Sequence, residues 1–402
     1  CGACLNACPT YQLVGGHVFG DRYVGPIGLP WTAFTTSRAK AFQKSPLCIN
    51  CGLCRAACPV DVEIPEMIMR LKHLDITENG TSRVNRFLSN FERMSALASA
   101  TAPVSNWLIK RGLTRVLLEK ISGIDRRRHL PTYSRHPFTK QYKKRKPTTP
   151  RDQSVAYFVD TYAEYNESNL AWCVVDVLEH AGYAVTVPPQ RGVGMPLVSY
   201  GFMDAFGANA RFNVSSLAEL AEKGISIVAS EPTAAYCLKH LYPHLLDSAD
   251  SRLVAEHSFE LFEFLRLQLE RGILPTDHTP LEGIAAYHAP CHTKSVLREW
   301  PVVAILEKFG LKVETVEYGC CGIAGTYGFK RGLEGYDVSM EIQRGLIEKL
   351  ESLNVDFAVT ESSVCRMQIE ATYRKPVVHP IQLLWNAYFA PESKPILIED
   401  GC

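Results

Sequence analysis

In Cys48-Ile-Asn-Cys51-Gly-Leu-Cys54-Arg-Ala-Ala-Cys58-Pro59, thiols recur with gaps of two, two and three residues and a proline closes the run. Cys1-Gly-Ala-Cys4-Leu-Asn-Ala-Cys8-Pro9 repeats the last three cysteines and the proline of that pattern. Soft thiolates at such spacing select iron–sulfur chemistry, and paired runs of this kind bind two [4Fe–4S] clusters, the last cysteine of each run reaching across to the other cluster. By that rule Cys48, Cys51, Cys54 and Cys8 hold one cluster, and Cys1, Cys4 and Cys58 share the second. The ligand that completes the second would stand three residues before Cys1. The chain is therefore expected to be a piece of something longer, with a labile second cluster.

A further set of cysteines stands far along the chain: Cys291 in Ala289-Pro290-Cys291-His292, the adjacent pair Cys320 and Cys321 followed by Gly322, and Cys365 in Ser363-Val364-Cys365-Arg366. Each follows a short apolar run that reads as a strand. Parallel α/β units gather their loops at the carboxyl ends of the strands, so the four thiols are expected to converge and to take an iron–sulfur cluster or zinc. Gly322, Gly325 and Gly328 match neither a phosphate loop nor a dinucleotide fingerprint. They are expected to bring backbone N–H groups close to cluster sulfur.

The elements that must position these residues divide the chain into four stretches. Residues 1–75 form a cluster-binding unit whose motifs flank a Gly- and Pro-containing insertion (15–46), with a helix after Cys58 in which Met67, Ile68 and Leu71 share a face. Residues 76–150 read as a helical, then basic linker, helical over 87–121 with a break at Pro103. Arg126-Arg127-Arg128 and Lys143-Lys144-Arg145-Lys146 follow, a run that is either solvated or in contact with anionic lipid headgroups. From Val155 onward strands alternate with helices, twice over, in units of about 120 residues. The fold class is α+α/β: a helical two-cluster domain followed by two duplicated α/β domains with parallel sheets, over 151–275 and 276–402.

Composition narrows the function. A chain of 402 residues with 46% hydrophobic content can build several cores, and its net charge of +1 points to no nucleic-acid partner. Fourteen cysteines are too sparse for a disulfide scaffold and too clustered for ordinary core thiols. A reducing, cytoplasmic setting is expected, with at most peripheral contact with the inner membrane face. No apolar run approaches the roughly 18 residues that would cross a bilayer.

His288-Ala-Pro-Cys-His292 and Cys320-Cys-Gly-Ile-Ala-Gly-Thr-Tyr-Gly-Phe-Lys330 resemble the cysteine-rich CCG family. That family includes heterodisulfide reductase B subunits, glycolate oxidase iron–sulfur subunits and anaerobic glycerol-3-phosphate dehydrogenase C subunits; the resemblance to the last extends to Ile124-Asp-Arg-Arg-Arg-His-Leu-Pro-Thr-Tyr133. It implies a two-cluster ferredoxin-like domain followed by two CCG domains, relaying electrons from an FAD-containing dehydrogenase domain or subunit to a quinone or other acceptor. A third cluster at Cys291, Cys320, Cys321 and Cys365 is implied as well. Two departures stand out. Ser362 replaces the first cysteine of the terminal Cys-x-x-Cys. The first copy is stripped: Val159-Asp160-Thr161 stands where a cysteine is expected, Gln190-Arg191-Gly192-Val193-Gly194 replaces Cys-Cys-Gly, and Cys237 is displaced. A stripped and a retained copy together are similar to long fusions in which an FAD-linked oxidase of the D-lactate or D-2-hydroxyglutarate dehydrogenase type precedes the iron–sulfur region.

No catalytic triad or carboxylate pair is present, and no residue is assigned a catalytic role. His288, His292, His379 and Lys330 near the second cysteine set are read either as packed residues or as hydrogen-bond and proton partners of the site. Tyr327 is read as a core aromatic or a quinone-stacking ring. Cys173 and Cys402 are read as inert. The competing readings are thiol–disulfide chemistry of the heterodisulfide reductase kind and a zinc-stabilised interaction module. The substrate of the flavin partner is left open between glycerol 3-phosphate and several 2-hydroxy acids.

Overall fold

The computed structural model of the chain describes residues 1–145, 151–297 and 299–390. The basic run beyond Arg145 and Cys402 lie outside them.

Two α/β units, each built on a sheet of four parallel strands, form the larger part of the molecule. In the first, β1 (Gln153–Phe158), β2 (Tyr183–Thr186), β3 (Ser226–Ala229) and β4 (Ser258–Glu260) lie in the order β2-β1-β3-β4. In the second, β5 (Ile284–Tyr287), β6 (Lys312–Thr315), β7 (Phe357–Val359) and β8 (Val377–Val378) take the equivalent order β6-β5-β7-β8. The shared order is what an internal duplication produces. The strands at the middle of each sheet are apolar over their buried length because helices cover both faces. Val155, Ala156, Tyr157 and Phe158 are all inaccessible to solvent, whereas edge strand β6 exposes Lys312, Glu314 and Thr315.

The two copies share one core. Helix Ser168–His180 of the first packs against helix Pro380–Phe389 of the second, and Leu170, Val174 and Val177 meet Leu383, Leu384 and Ala387 in the same apolar cluster. The second face of the first sheet is covered by the long helix Met203–Glu222, which buries Phe206, Ala210, Val214 and Leu217 at helical spacing.

The N-terminal unit is helical. Its insertion folds into helices Gly25–Thr35 and Arg38–Lys44, which pack on helix Ile64–Asn79. Ile68 and Leu71 of that last helix are buried, but Met67 is 44% exposed, contrary to the face expected for it. The helical stretch that follows runs through Arg83–Ser89, Phe91–Ala100, Val104–Ile109 and Gly112–Ser122, interrupted at Pro103.

Of the arginine run after it, Arg126 and Arg127 stay exposed, but Arg128 does not, and the run is tied to the second α/β copy rather than free. Arg128 is buried and its guanidinium donates to Gly328 O at 2.8 Å, to Ser339 Oγ at 3.1 Å and to Gln368 Oε1. Arg127 pairs with Asp125 and Asp337, both at 2.7 Å, with its guanidinium over the Tyr336 ring. The planar guanidinium fork spans several fixed acceptors at once, so this run clamps the helical segment onto the second α/β copy.

Candidate metal centre

The Cys48–Cys58 run closes around a short helix, Leu53–Ala56, just as the first run closes around Ala3–Ala7. Cys51 and Cys54 are buried and Cys48 is half-buried. Cys8 joins them from the first run: burial pushes its thiol up to about 12, and the charges of Cys48 and Cys320 add to that. Cys54 is raised by burial and then by Cys48, Cys8 and Cys4, and Cys51 by burial and then by Cys320, Cys8 and Cys54. Cys8, Cys48, Cys51 and Cys54 thus form one group of interacting thiols. The remaining three differ in burial. Cys4 is buried, Cys58 is half-buried with its sulfur accepting from Val62 N at 3.4 Å, and Cys1 is exposed.

The second thiol set is assembled by the carboxyl ends of β5, β6 and β7. Cys291 opens the helix after β5, Cys320 and Cys321 lie in the loop after β6, and Cys365 lies in the helix after β7. The sulfurs of Cys321 and Cys365 lie 3.1 Å apart. The Cys320 thiol is held well below its ordinary value because the thiols of Cys291 and Cys321 donate to it, against its burial; Gly322 N–H at 3.3 Å and the Lys294 ammonium add to the effect. Gly322 has a φ of +92°, and a Cβ there would lie 2.3 Å from Ser339 O. The glycine after the cysteine pair lets the backbone turn its N–H toward the Cys320 sulfur.

These groups fit the clusters that the spacing implies. Buried thiols that raise one another's pKa are poor thiolates alone, and a bound cationic metal reverses that balance. Room is available too: a cavity of about 110 Å³ is lined by Cys51, Cys291, Cys320, Cys321 and Cys365.

The two thiol groups face each other across a tight interface. His292 Nε2 bonds Asn50 O at 3.0 Å and its Nδ1 bonds Thr233 Oγ1 at 2.9 Å, while its ring stacks on Tyr236 with centroids 4.7 Å apart. Ser295 Oγ donates to Cys51 O at 3.0 Å or Cys291 O at 2.9 Å, touching both motifs at once. Gly52, at a φ of +74°, sits beneath it, and a Cβ would come within 2.5 Å of that oxygen.

The stripped copy supplies carboxylates to the same cavity. Asp160 and Glu231 stand two residues past the ends of β1 and β3, where the second copy has Ala289 and the buried Glu361; its sulfurs come further along the same loops. Burial and the neighbouring Asp160 push Glu231 up to about 8, and burial pushes Asp160 up to about 6. Ser362 donates to Glu231 Oε1 at 2.7 Å, so its hydroxyl faces the stripped copy. Gln190 turns back onto Val159, accepting its N–H at 3.0 Å and donating to its carbonyl, and so occupies the end of β1. Cys237 is a core thiol packed with Tyr236 and Tyr242, and Cys173 is buried in its helix.

Of the other residues singled out, His379 caps the helix it precedes and bonds Glu361 O at 3.0 Å. Lys330 pairs with Glu334 at 3.8 Å, and Tyr327 is buried among Ile49, Leu53 and Val338 as a core aromatic. Two lysines went unnoticed in the sequence. Lys72 is buried and donates to Cys48 O at 2.7 Å and Ser199 O at 3.0 Å. Its position one turn after Ile68, on the apolar face, was the available signal. Lys294 donates to the carbonyls of Tyr318 and Gly319, and the charges of Cys291, Cys320 and Cys365 act on it against its burial. Both place an amino group beside the thiol groups.

A family model described as a 4Fe-4S dicluster domain matches residues 1–62, and one described as a cysteine-rich domain matches residues 285–370. The C subunit of the anaerobic glycerol-3-phosphate dehydrogenase of Escherichia coli K12 is 32% identical over 397 residues, covering 96% of this chain and 97% of its own. The glycolate oxidase iron-sulfur subunit of the same organism is 25% identical, covering 96% of this chain and 92% of its own. A D-2-hydroxyglutarate dehydrogenase of Pantoea ananatis is 24% identical, and the match spans 84% of this chain but only 33% of that protein. With whole-length identity at that level and both cysteine modules matched, the chain belongs to the family of the anaerobic glycerol-3-phosphate dehydrogenase C subunit and is an iron–sulfur electron-transfer component of a dehydrogenase.

Proposed function

We infer that Cys8, Cys48, Cys51 and Cys54 hold one [4Fe–4S] cluster, that Cys1, Cys4 and Cys58 contribute to a second, and that Cys291, Cys320, Cys321 and Cys365 hold a third centre. When bound, such clusters supply one-electron carriers that split the two-electron output of a flavin. The observation that carries this reading is the contact between the motifs: Cys51 and Cys320 pack in one cluster and line the same cavity. The protein's own contribution is to hold the thiols rigid through His292 and Ser295, exclude water, and place Lys72 and Lys294 near the added negative charge.

The donor is an FAD-containing dehydrogenase, for which glycerol 3-phosphate is the favoured substrate, since the C-subunit relative matches over nearly its full length at 32%. A quinone is the favoured acceptor, reached at a membrane surface on the cytoplasmic side. Among the described residues no helix is long and apolar enough to cross a membrane. Membrane contact is supported by an exposed apolar stripe: Leu113, Leu117 and Ile121 recur every fourth residue along helix Gly112–Ser122 and are 88%, 56% and 71% exposed. Trp107, also exposed, lies beneath the guanidinium of Arg111. An amphipathic helix with flanking basic residues lies in the lipid interface.

Anaerobic reconstitution with iron and sulfide, followed by iron counting and EPR, tests the cluster assignment. Cys51→Ser is expected to lose one cluster signal. Failure of the intact chain to take up iron would refute it.

A further inference from the structure

Among the described residues, His288 is the one imidazole at the second thiol set without a hydrogen-bond partner. It directly follows β5, where its backbone N–H donates to Val359 O at 2.9 Å and holds the residue at the strand end. The side chain is inaccessible to solvent, and neither Nδ1 nor Nε2 has a partner. His292 and His379, its neighbours at the site, use both ring nitrogens. A buried polar group left unsatisfied calls for an explanation. The surroundings provide one: a ring nitrogen of His288 and the sulfurs of Cys321 and Cys365 all lie within 4.8 Å of one another. A nitrogen and two sulfurs at that separation could hold one metal ion between them.

Ser362 strengthens the case from the other side. It stands where a cysteine would complete a Cys-x-x-Cys pair with Cys365, yet its hydroxyl donates to Glu231 and accepts from Cys365 N at 3.4 Å. The oxygen is occupied within the protein.

We propose that His288 is a nitrogen ligand of the metal centre at Cys291, Cys320, Cys321 and Cys365, taking up the coordination that Ser362 does not supply. This rests on the reading of those cysteines as an iron–sulfur site. Neutral imidazole in place of a thiolate lowers the negative charge on a cluster, and so raises its reduction potential, as in centres where histidine replaces cysteine on one iron. Such a centre would be the most readily reduced of the chain and would draw electrons from the Cys51 side.

The test is 57Fe Mössbauer spectroscopy, which detects iron in every spin state, on the full chain reconstituted anaerobically with 57Fe and sulfide, with redox titration in parallel. Wild type is expected to show an iron subsite distinct from the all-thiolate ones. His288→Cys is expected to keep the iron, convert that subsite to the all-thiolate kind and lower the midpoint of that centre. His288→Ala is expected to lose iron from this centre while the N-terminal clusters persist. Only all-thiolate subsites in wild type would overturn the proposal without recourse to any variant. An unchanged spectrum and midpoint in His288→Cys would also overturn it. No iron beyond that of the N-terminal clusters in wild type would refute the underlying reading as well, which the iron count separates from failure of the histidine assignment alone.

Discussion

Replacing Gly52 with alanine perturbs the contact that joins the two cysteine modules, without touching a sulfur. Two costs add. An L-residue held at a φ of +74° pays about 1–2 kcal/mol. The new methyl would also lie 2.5 Å from Ser295 Oγ and 3.0 Å from Ser295 Cβ, an overpacking of about 1–3 kcal/mol. The sum is about 2–5 kcal/mol. With about 2.1 cal/mol/K of unfolding entropy per residue, 402 residues unfolding together lose about 1.2 °C per kcal/mol, so the midpoint should fall by about 2–6 °C. The diagnostic arm is Ser295→Ala. In wild type it removes a hydroxyl that bonds Cys51 O or Cys291 O and should cost about 1 kcal/mol. In the Gly52→Ala background it also removes the 2.5 Å clash, so the same change should become neutral or stabilising. Anaerobic thermal melts of the reconstituted protein, followed at the cluster absorbance, would read all four corners of the cycle. Strictly additive effects would refute the argument that Ser295 presses the Cys51 loop into place.

Two further outcomes follow from the same reasoning. Arg128→Lys is expected to destabilise by about 3–5 kcal/mol, nearly as much as Arg128→Ala, because an ammonium cannot serve Gly328 O, Ser339 Oγ and Gln368 Oε1 together; chemical denaturation under reducing conditions checks it, and a stable lysine variant would contradict the clamp. Leu113→Asp and Leu117→Asp are each expected to weaken cosedimentation with anionic vesicles at least about tenfold while leaving iron content unchanged, since each removes roughly 1.5–3 kcal/mol of apolar burial. Undiminished vesicle binding would move the stripe from lipid to a protein partner.

Much of this protein was legible in one dimension because its chemistry is written in local spacing. Cysteines separated by two and three residues can meet only around a short helix, and the chain has such helices at Ala3–Ala7 and Leu53–Ala56. Strands such as Gln153–Phe158 announced themselves through continuous apolar runs, here from Val155 on, because both faces of a parallel sheet are covered. The convergence of Cys291, Cys320–Cys321 and Cys365 followed from a rule of parallel topology rather than from proximity in sequence.

What only the tertiary structure decided involves residues whose role depends on a partner far away in the chain. Arg127 and Arg128 read as solvent or lipid charges until Asp337, Ser339 and Gln368, more than two hundred residues on, supplied acceptors. Lys72 and Lys294 gained meaning only when folding put their ammonium groups against carbonyls beside the thiols. The sequence contains His288 and His292 four residues apart with nothing to rank them; the fold satisfies both nitrogens of one and leaves both of the other bare beside sulfur. Spacing determines which thiols can share a metal, because it limits how far each can travel. Burial and hydrogen-bond partnership, which decide what else stands at that metal, are properties of the packed chain alone.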